Sequence, residues 1–292
     1  MTAGVYQVIA LITLKILQKF TAGRARSLVC LKGKTAIVTG GTSGIGYETA
    51  LVLASRGARV IIADRKDGTK VKQQIIDITQ NEDIETKILD LSSLQSVRRF
   101  AKEINETEER LDILINNAGT WKVTNKHSDD GLHETMQVNH FGPFLLTHLL
   151  SGLLKKSAPS RIIFVNSAYA FCSNLSLESL NPPQGHPMTF LRNSLIYANS
   201  KLANIITANG FAERLKEFGV TSNSLHPGLS IEEGAQTTIH LALSKKLKDV
   251  TGRHFWDCRV FPMPPGAWNK KFSDDVWEAS EKLVQLKPEE KI

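Results

Sequence analysis

The chain has 292 residues, of which 41% are hydrophobic, so it can bury a large core in one or two domains. Cys30, Cys172 and Cys258 lie far apart and fit neither a metal-ligand spacing nor a paired disulfide framework, which indicates a reducing compartment. Six of the 36 basic residues and no acidic residue lie in the first 34 positions, which leaves 30 basic against 29 acidic residues in the body. A nearly neutral body argues against a nucleic-acid-binding protein.

The N-terminal arm, residues 1–33, begins with a largely apolar run from Val5 to Leu14. A bilayer span needs roughly 20 apolar residues, so this run is short, and its flanks do not match a cleaved secretory signal. Basic residues follow the run, which by the positive-inside rule places the body on the cytoplasmic side if the arm inserts. A membrane anchor or interfacial helix is one interpretation of the arm, and a mitochondrial transit peptide and a docking helix are the others.

The body, residues 34–292, alternates short β-branched runs with helical patterns. This alternation predicts a single α/β domain with a doubly wound parallel sheet, the Rossmann fold. The expected elements are strands at 35–39, 58–63, 84–89, 111–115, 161–166 and 220–225, and helices at 44–56 and about 194–218. Gly57 and Gly219 end the two helices. A further helix follows the third strand, with Ser92 and Gln95 spaced as a capping box.

A glycine-rich turn, Thr39-Gly-Gly-Thr-Ser-Gly-Ile-Gly46, lies between the first strand and the first helix. A dinucleotide pyrophosphate needs close backbone approach and a helix N-terminus at this place. The predicted cofactor residues of the turn are Gly40, Thr42, Ser43, Gly44, Ile45 and Gly46.

Asp64 ends the second strand, 18 residues after Gly46, where a carboxylate can bind the adenine-ribose hydroxyls. A carboxylate repels a 2′-phosphate, which favours NAD(H) over NADP(H). Arg65 and Lys66 follow directly and can offset that repulsion, so the choice between the two dinucleotides stays open. A helix-capping role for Asp64 is the structural alternative.

Tyr197 and Lys201 are four residues apart on a predicted helix, so their side chains share a face. A free phenol titrates near pH ~10, and bringing its pKa to neutrality takes roughly 4 kcal/mol of preferential phenolate stabilisation. Lys201 and an oxidised nicotinamide are positive charges that can supply it. Tyr197 is therefore the candidate proton-transfer residue, and an amphipathic helix with an exposed lysine is the structural alternative for this pair. His226 stands at a strand end beside Pro227-Gly228 and is interpreted as a turn or core histidine.

An ordered series of motifs carries a family resemblance: TGxxxGxG, Asn116-Asn-Ala-Gly119, Ser167, Tyr197-x-x-x-Lys201 and Pro227-Gly228. The series resembles the short-chain dehydrogenase/reductases over nearly all of the chain except the arm. The resemblance implies hydride transfer between a nicotinamide cofactor and an alcohol or carbonyl. It also implies that Ser167 binds the substrate oxygen and that Asn139 holds a proton-relay water. The cofactor residues that it adds are Arg65, Asp90, Asn117, Ala118, Gly119, Tyr197, Lys201, Pro227 and Gly228.

Further segments, among them Ser200-Lys-Leu-Ala-Asn204 and Ser224-Leu-His-Pro-Gly228, are similar to the microsomal retinol dehydrogenase group. This similarity implies a small lipophilic substrate such as a retinoid, a steroid or an isoprenoid. It further implies association with the endoplasmic reticulum membrane, and a homodimer stays open. Where Asp64 stands, that group usually has a small or sulfur-containing residue followed by Arg, a pair associated with NADP.

The segment after Gly228 departs from this group. Relatives have several dozen residues there that form a mobile lid over the substrate, whereas here Leu229-Ser-Ile231 leads directly into Glu-Glu-Gly-Ala-Gln-Thr237. Loss of the lid affects substrate binding and water exclusion. A dinucleotide-binding protein with weak or no turnover is therefore one alternative to the enzyme for lipophilic substrates. A soluble carbonyl reductase is the other, if the arm does not confer membrane association.

Overall fold

An eight-stranded sheet lies at the centre of the structure, a computed structural model that describes residues 23–25, 27–122, 124–185, 187, 189–228 and 231–292. Its strands are β1 Thr35–Thr39, β2 Arg59–Asp64, β3 Ile84–Ile88, β4 Ile113–Asn116, β5 Ser160–Val165, β6 Val220–His226, β7 His254–Trp256 and β8 Arg259–Phe261. Their order is β3-β2-β1-β4-β5-β6-β7-β8, with β8 antiparallel to β7 and all other neighbours parallel. The predicted doubly wound α/β fold is confirmed.

Helices cover both faces of this sheet. They are α1 Gly44–Ser55, α2 Thr69–Thr79, α3 Leu94–Thr107, α4, α5 Leu177–Leu180, α6 Phe190–Leu215, α7 Ile231–Leu243 and α8 Lys270–Leu283. The α4 unit has three parts: α-helical Glu134–Met136, π-helical Gln137–Phe141 and α-helical Gly142–Lys156. One core layer packs α3, α4, α6 and α8 against the sheet, and the other packs α1, α2 and α7 against the opposite face. Alternate strand residues such as Ile37 and Val38 enter different layers, as the pleat of a strand requires.

Two helix ends can be compared with the residues that the sequence predicts there. Gly57 has φ +81° and follows Arg56, the C-cap of α1, which matches its predicted place just past the helix end. The predicted capping box at the start of α3 is wrong, because Ser93 is the N-cap and its Oγ accepts from the Ser96 N–H at 3.2 Å. The Ser92 hydroxyl donates instead to Asp90 Oδ1 at 2.6 Å.

The order of the strands determines where a ligand crevice opens. From β1 the chain builds β2 and β3 on one side and then crosses to β4 on the other side. In doubly wound sheets the crevice lies beyond the carboxyl ends of the strands at this switch point. The loops that follow β1, β2, β4, β5 and β6 all begin at that edge of the sheet.

The described part of the N-terminal arm lies along α7. The Ala25 N–H donates to Gln236 Oε1 and the Ser27 hydroxyl donates to the Leu243 carbonyl, each at 3.0 Å. The apolar run of residues 5–14 lies outside the described residues. Among the residues that the structure describes, no helix has the length and apolar character needed to cross a bilayer.

Candidate active site

A cavity of about 470 Å³ opens at the switch point. The predicted cofactor residues that line it are Gly40, Thr42, Ser43, Gly44, Ile45, Gly46, Asp64, Arg65, Asp90, Asn117, Ala118 and Gly119. Sequence reasoning did not assign Thr120, Lys122 and Ile231, which line it as well. Thr120 directly follows the Asn-Asn-Ala-Gly motif, so its position in the sequence could have identified it as a cavity residue. Ile231 reaches the cavity only because α7 begins beside it.

The glycine-rich turn leaves room at the N-terminus of α1. Gly44 has φ +56°, and a Cβ built there would meet no atom within 4 Å. A Cβ at Gly46 would lie 2.2 Å from the Gly40 carbonyl oxygen, so the turn closes tightly only with glycine at that position. An open space before the free N–H groups of a helix suits a pyrophosphate. The residues present therefore fit a dinucleotide.

Asp64 lies at the carboxyl end of β2 and faces the same cavity. Its Oδ2 accepts from the Thr42 hydroxyl at 2.6 Å, and its Oδ1 accepts from the Lys66 N–H at 3.2 Å. These bonds hold the carboxylate between the glycine-rich turn and β2. Asp64 caps no helix, since α2 begins at Thr69 with Gly68 as its N-cap.

Asn117 connects the two strands that flank the crevice. Its Nδ2 donates to the Thr39 carbonyl at 2.8 Å, and its N–H donates to Thr39 Oγ1 at 3.0 Å. Asn117 thereby fixes the end of β4 against the end of β1. Its side chain shapes the cavity wall in addition to any contact with a nucleotide.

Ser167 and Tyr197 meet beyond the end of β5. Ser167 caps the 3₁₀ turn Ala168–Cys172, and its Oγ accepts from the Tyr169 N–H at 3.2 Å. Burial raises the pKa of the Tyr197 phenol, while its hydrogen bond with Ser167 opposes that rise without cancelling it. The phenol is therefore protonated at neutral pH in this structure.

Lys201 lies on the same face of α6, one turn after Tyr197. Its Nζ donates to the Val165 carbonyl at 3.1 Å and lies 5.6 Å from the centroid of the Tyr197 ring. Burial lowers the pKa of the Lys201 ammonium to about 8. A Cβ at Gly119 would lie 3.3 Å from Lys201 Nζ, so Gly119 lies between the cavity and the face of α6 that carries Tyr197 and Lys201.

Asn139 lies in the π-helical part of α4, an irregularity that is frequent at functional sites. Its side chain exchanges two bonds with the backbone of Thr120, at 2.7 and 2.9 Å. Its main-chain carbonyl accepts from Asn204 Nδ2 at 2.7 Å. The relay water at Asn139 stays a prediction.

Four of the predicted cofactor residues do not line the cavity. Two of them, Pro227 and Gly228, follow β6, and the other two are Tyr197 and Lys201 on α6. His226 is buried, and its Nδ1 accepts from the Ala168 N–H at 3.1 Å. Burial lowers the pKa of His226 to about 4, which suits the predicted core histidine. Leu229 and Ser230, where the lid departure begins, lie outside the described residues.

Comparison with known proteins gives a consistent family. The family model described as short chain dehydrogenase matches residues 34–178. Human retinol dehydrogenase 11 is 38% identical over 93% of this chain and 92% of its own length. Bovine dehydrogenase/reductase SDR family member 13 is 39% identical over 91% of this chain and 77% of its own length.

The solved structures agree with this result. A protein described as putative and uncharacterized from Mycobacterium paratuberculosis superposes with a TM-score of 0.76 at 30% identity, over 91% of this chain and 98% of its own. The Pseudomonas aeruginosa RhlG/NADP complex superposes with a TM-score of 0.61 at 26% identity, over 79% of this chain and 97% of its own.

Proposed function

Because the chain belongs to the short-chain dehydrogenases, and is therefore an NAD(P)-dependent oxidoreductase acting on a CH–OH group, we propose that it interconverts a lipophilic alcohol and its carbonyl with Tyr197 as general acid and base. The observation that carries the proposal is the partly buried Tyr197 phenol, which is hydrogen-bonded to Ser167 and lies beside Lys201. The names of the retinol dehydrogenase relatives favour a retinoid-like substrate, and steroids and isoprenoids share its apolar character.

The side chains divide the work at the reacting oxygen. Ser167 donates a hydrogen bond to that oxygen when substrate is bound, while its Oγ accepts from the Tyr169 N–H. Tyr197 gives its proton to the oxygen during reduction and takes it back during oxidation. When bound, the dinucleotide supplies or accepts hydride at the carbon that bears this oxygen. Lys201 stabilises the negative charge that Tyr197 acquires.

Reduction of a carbonyl requires Tyr197 to be protonated at the start of the proton-transfer step. The raised pKa of Tyr197 keeps the phenol protonated, which is the form that a general acid needs. Lys201, with its pKa at about 8, is largely charged at neutral pH and stabilises the tyrosinate left behind. Oxidation of an alcohol instead requires Tyr197 to start as the tyrosinate, which accepts the proton.

NAD(H) is the dinucleotide that we propose. The Asp64 carboxylate faces the cavity where the adenine ribose would lie and disfavours a 2′-phosphate. Arg65 and Lys66 line the same cavity, so the preference rests on which charge lies closer to the ribose. We also propose that the arm, residues 1–33, associates with the cytoplasmic face of a membrane, based on its apolar run followed by basic residues.

The proposal is tested by turnover of all-trans-retinal by the full chain in detergent, with NADH and NADPH added in turn. We expect faster turnover with NADH than with NADPH, and a loss of at least about a hundredfold in Tyr197→Phe because the proton donor is removed. Tyr169→Phe is the matched control, since its ring lies 5.8 Å from that of Tyr197 and only a hydroxyl is lost.

Fluorescence-detected binding of each dinucleotide separates the remaining alternatives. Tight binding without turnover above the Tyr197→Phe level would reject retinal reduction and favour a dinucleotide-binding protein that lacks a lid. Equal loss in Tyr169→Phe and Tyr197→Phe would remove the special role of Tyr197. The preferred cofactor, compared again in Asp64→Ala, tests the assignment of NAD(H).

A further inference from the structure

The Trp121 indole lies face to face with the ring of Tyr197. The two ring centroids are 5.1 Å apart and the ring planes differ by 13°. Trp121 follows Gly119 by two positions, in the loop after β4 that also lines the dinucleotide cavity. It remains 42% exposed, so part of the indole is free to contact another molecule. The Trp121 indole therefore covers one face of the Tyr197 ring, and part of the indole itself stays accessible to solvent.

The indole is also tied to the helix that carries Tyr197. With the Asn193 amide oriented to satisfy both neighbours, its oxygen accepts from Trp121 Nε1 at 2.7 Å and its nitrogen donates to the Lys122 carbonyl. Asn193 is fully buried and lies one turn before Tyr197 on α6. A buried hydrogen bond of this kind fixes the plane of the indole relative to the phenol.

Aromatic side chains continue outward from Trp121. The ring of Tyr169 meets it edge-on with centroids 4.9 Å apart, and the ring of Phe190 lies 6.2 Å away. Phe190 and the adjacent Leu191 are about 70% exposed at the start of α6. Together they extend an apolar surface from Tyr197 to solvent on the side of Trp121.

We propose that Trp121 is a specificity residue, which selects flat, extended apolar substrates by holding them against its indole beside Tyr197. The inference rests on the proposed function and names the feature that would recognise such a substrate. Aromatic faces gain most from partners that are planar and large enough to stack, so a conjugated chain gains more than a short alkyl chain does. Trp121 contributes to binding and orientation and takes no part in proton transfer.

The test compares kcat and KM for all-trans-retinal and for hexanal in the full chain and in Trp121→Ala. We expect KM for retinal to rise about tenfold, the order of one good aromatic contact, while KM for hexanal changes by less than about twofold. Trp121→Phe keeps a flat ring and should recover most of the affinity for retinal. Asn193→Ala frees the indole and should raise KM for retinal by a smaller factor than Trp121→Ala.

Trp268→Ala is the matched control, because Trp268 is 64% exposed and lines a different cavity beside α6 and α8. It should leave both KM values unchanged. Trp121→Leu keeps an apolar side chain without a flat ring, and it replaces Trp121→Ala in the test if that variant does not fold stably. Equal changes in KM for both aldehydes, or a loss confined to kcat, would overturn the inference while the proposed function stands. If the wild-type chain reduces neither aldehyde, the proposed function fails and the inference fails with it.

Discussion

Lys201 is the residue whose ionisation should set the pH dependence of reduction. Its pKa, lowered by burial to about 8, leaves the ammonium charged at neutral pH and discharges it as the pH rises through that value. The neutral amine no longer stabilises the charge that Tyr197 acquires on giving up its proton. We therefore expect kcat for carbonyl reduction to fall above about pH 8 in a pH–rate profile.

Lys201→Arg provides the control for this prediction. A guanidinium keeps its charge to about pH 12, so the alkaline decline should move to higher pH even if the maximum rate is lower. A decline that stays in place in Lys201→Arg would assign the titration to another group. A profile with no decline at all would mean that the charge on Lys201 is not needed.

The sequence predicts that Tyr197 and Lys201 share one face of a helix, but it does not predict which side chains pack around them. A spacing of four residues on a helix fixes a shared face, and both residues lie on α6 in the structure. The Trp121 stack depends on how the loop after β4 folds against α6, which is a tertiary contact between segments far apart in sequence. No local pattern encodes such a contact.

Strands β1 and β4 frame the crevice, and Asp112 connects them just before β4 begins. Its carboxylate accepts from Lys34 Nζ at 2.8 Å, from Arg110 at 2.7 and 2.8 Å, and from the Thr35 N–H at 3.0 Å. Burial raises the pKa of Asp112, but the bonds from Arg110, Lys34 and Thr35 outweigh it and leave the pKa below its usual value. The ionised carboxylate therefore stabilises this connection.

Asp112→Asn should lower the free energy of unfolding by about 1–3 kcal/mol at pH 7, because it removes charged bonds from a buried position. A depressed pKa in the folded state stabilises the fold above the unfolded value of about 3.9, and this stabilisation is lost as the pH falls through the folded value. The difference between variant and wild type in urea unfolding should thus persist down to about pH 4 and shrink only as the pH falls further. The exposed Asp129→Asn is the control, and an equal effect there would contradict the role of Asp112.

Whole elements were predictable to different degrees. Strands β1 to β6 could be predicted because each contains β-branched residues and five of the six are mostly buried, with β3 the exception. All six lie within a few residues of the expected bounds. Strands β7 and β8 have three residues each, too few to show alternation. The cap of α3 was missed because the Ser92 hydroxyl bonds Asp90, leaving the neighbouring Ser93 as N-cap. The π-helical turn at Asn139 has no sequence signature of its own.

The folded body of the molecule includes the last residues of the arm. Leu31 is buried, and its N–H donates to the Arg56 carbonyl at 2.8 Å. Ala25 and Val29 pack against the core layer that contains α1, α2 and α7. A Cβ at Gly23 would lie 2.1 Å from the Asp257 carbonyl oxygen, so the arm also touches the turn between β7 and β8. Residues 23–25 and 27–31 thus contact three separate parts of the fold.

A chain that starts at Lys32 should consequently be less stable than one that starts at Gly23. Burial of one leucine contributes about 1.5–3 kcal/mol, and each lost hydrogen bond adds about 1 kcal/mol. At roughly 2–4 °C per kcal/mol for a domain of about this size, Tm should differ by at least about 5 °C. Leu31→Ala in the longer chain should reproduce part of the loss, and Leu28→Ala should not, because Leu28 is 79% exposed. Equal Tm values for the two starting points would show that the arm is a separable segment and that its contacts with α7 do not stabilise the fold.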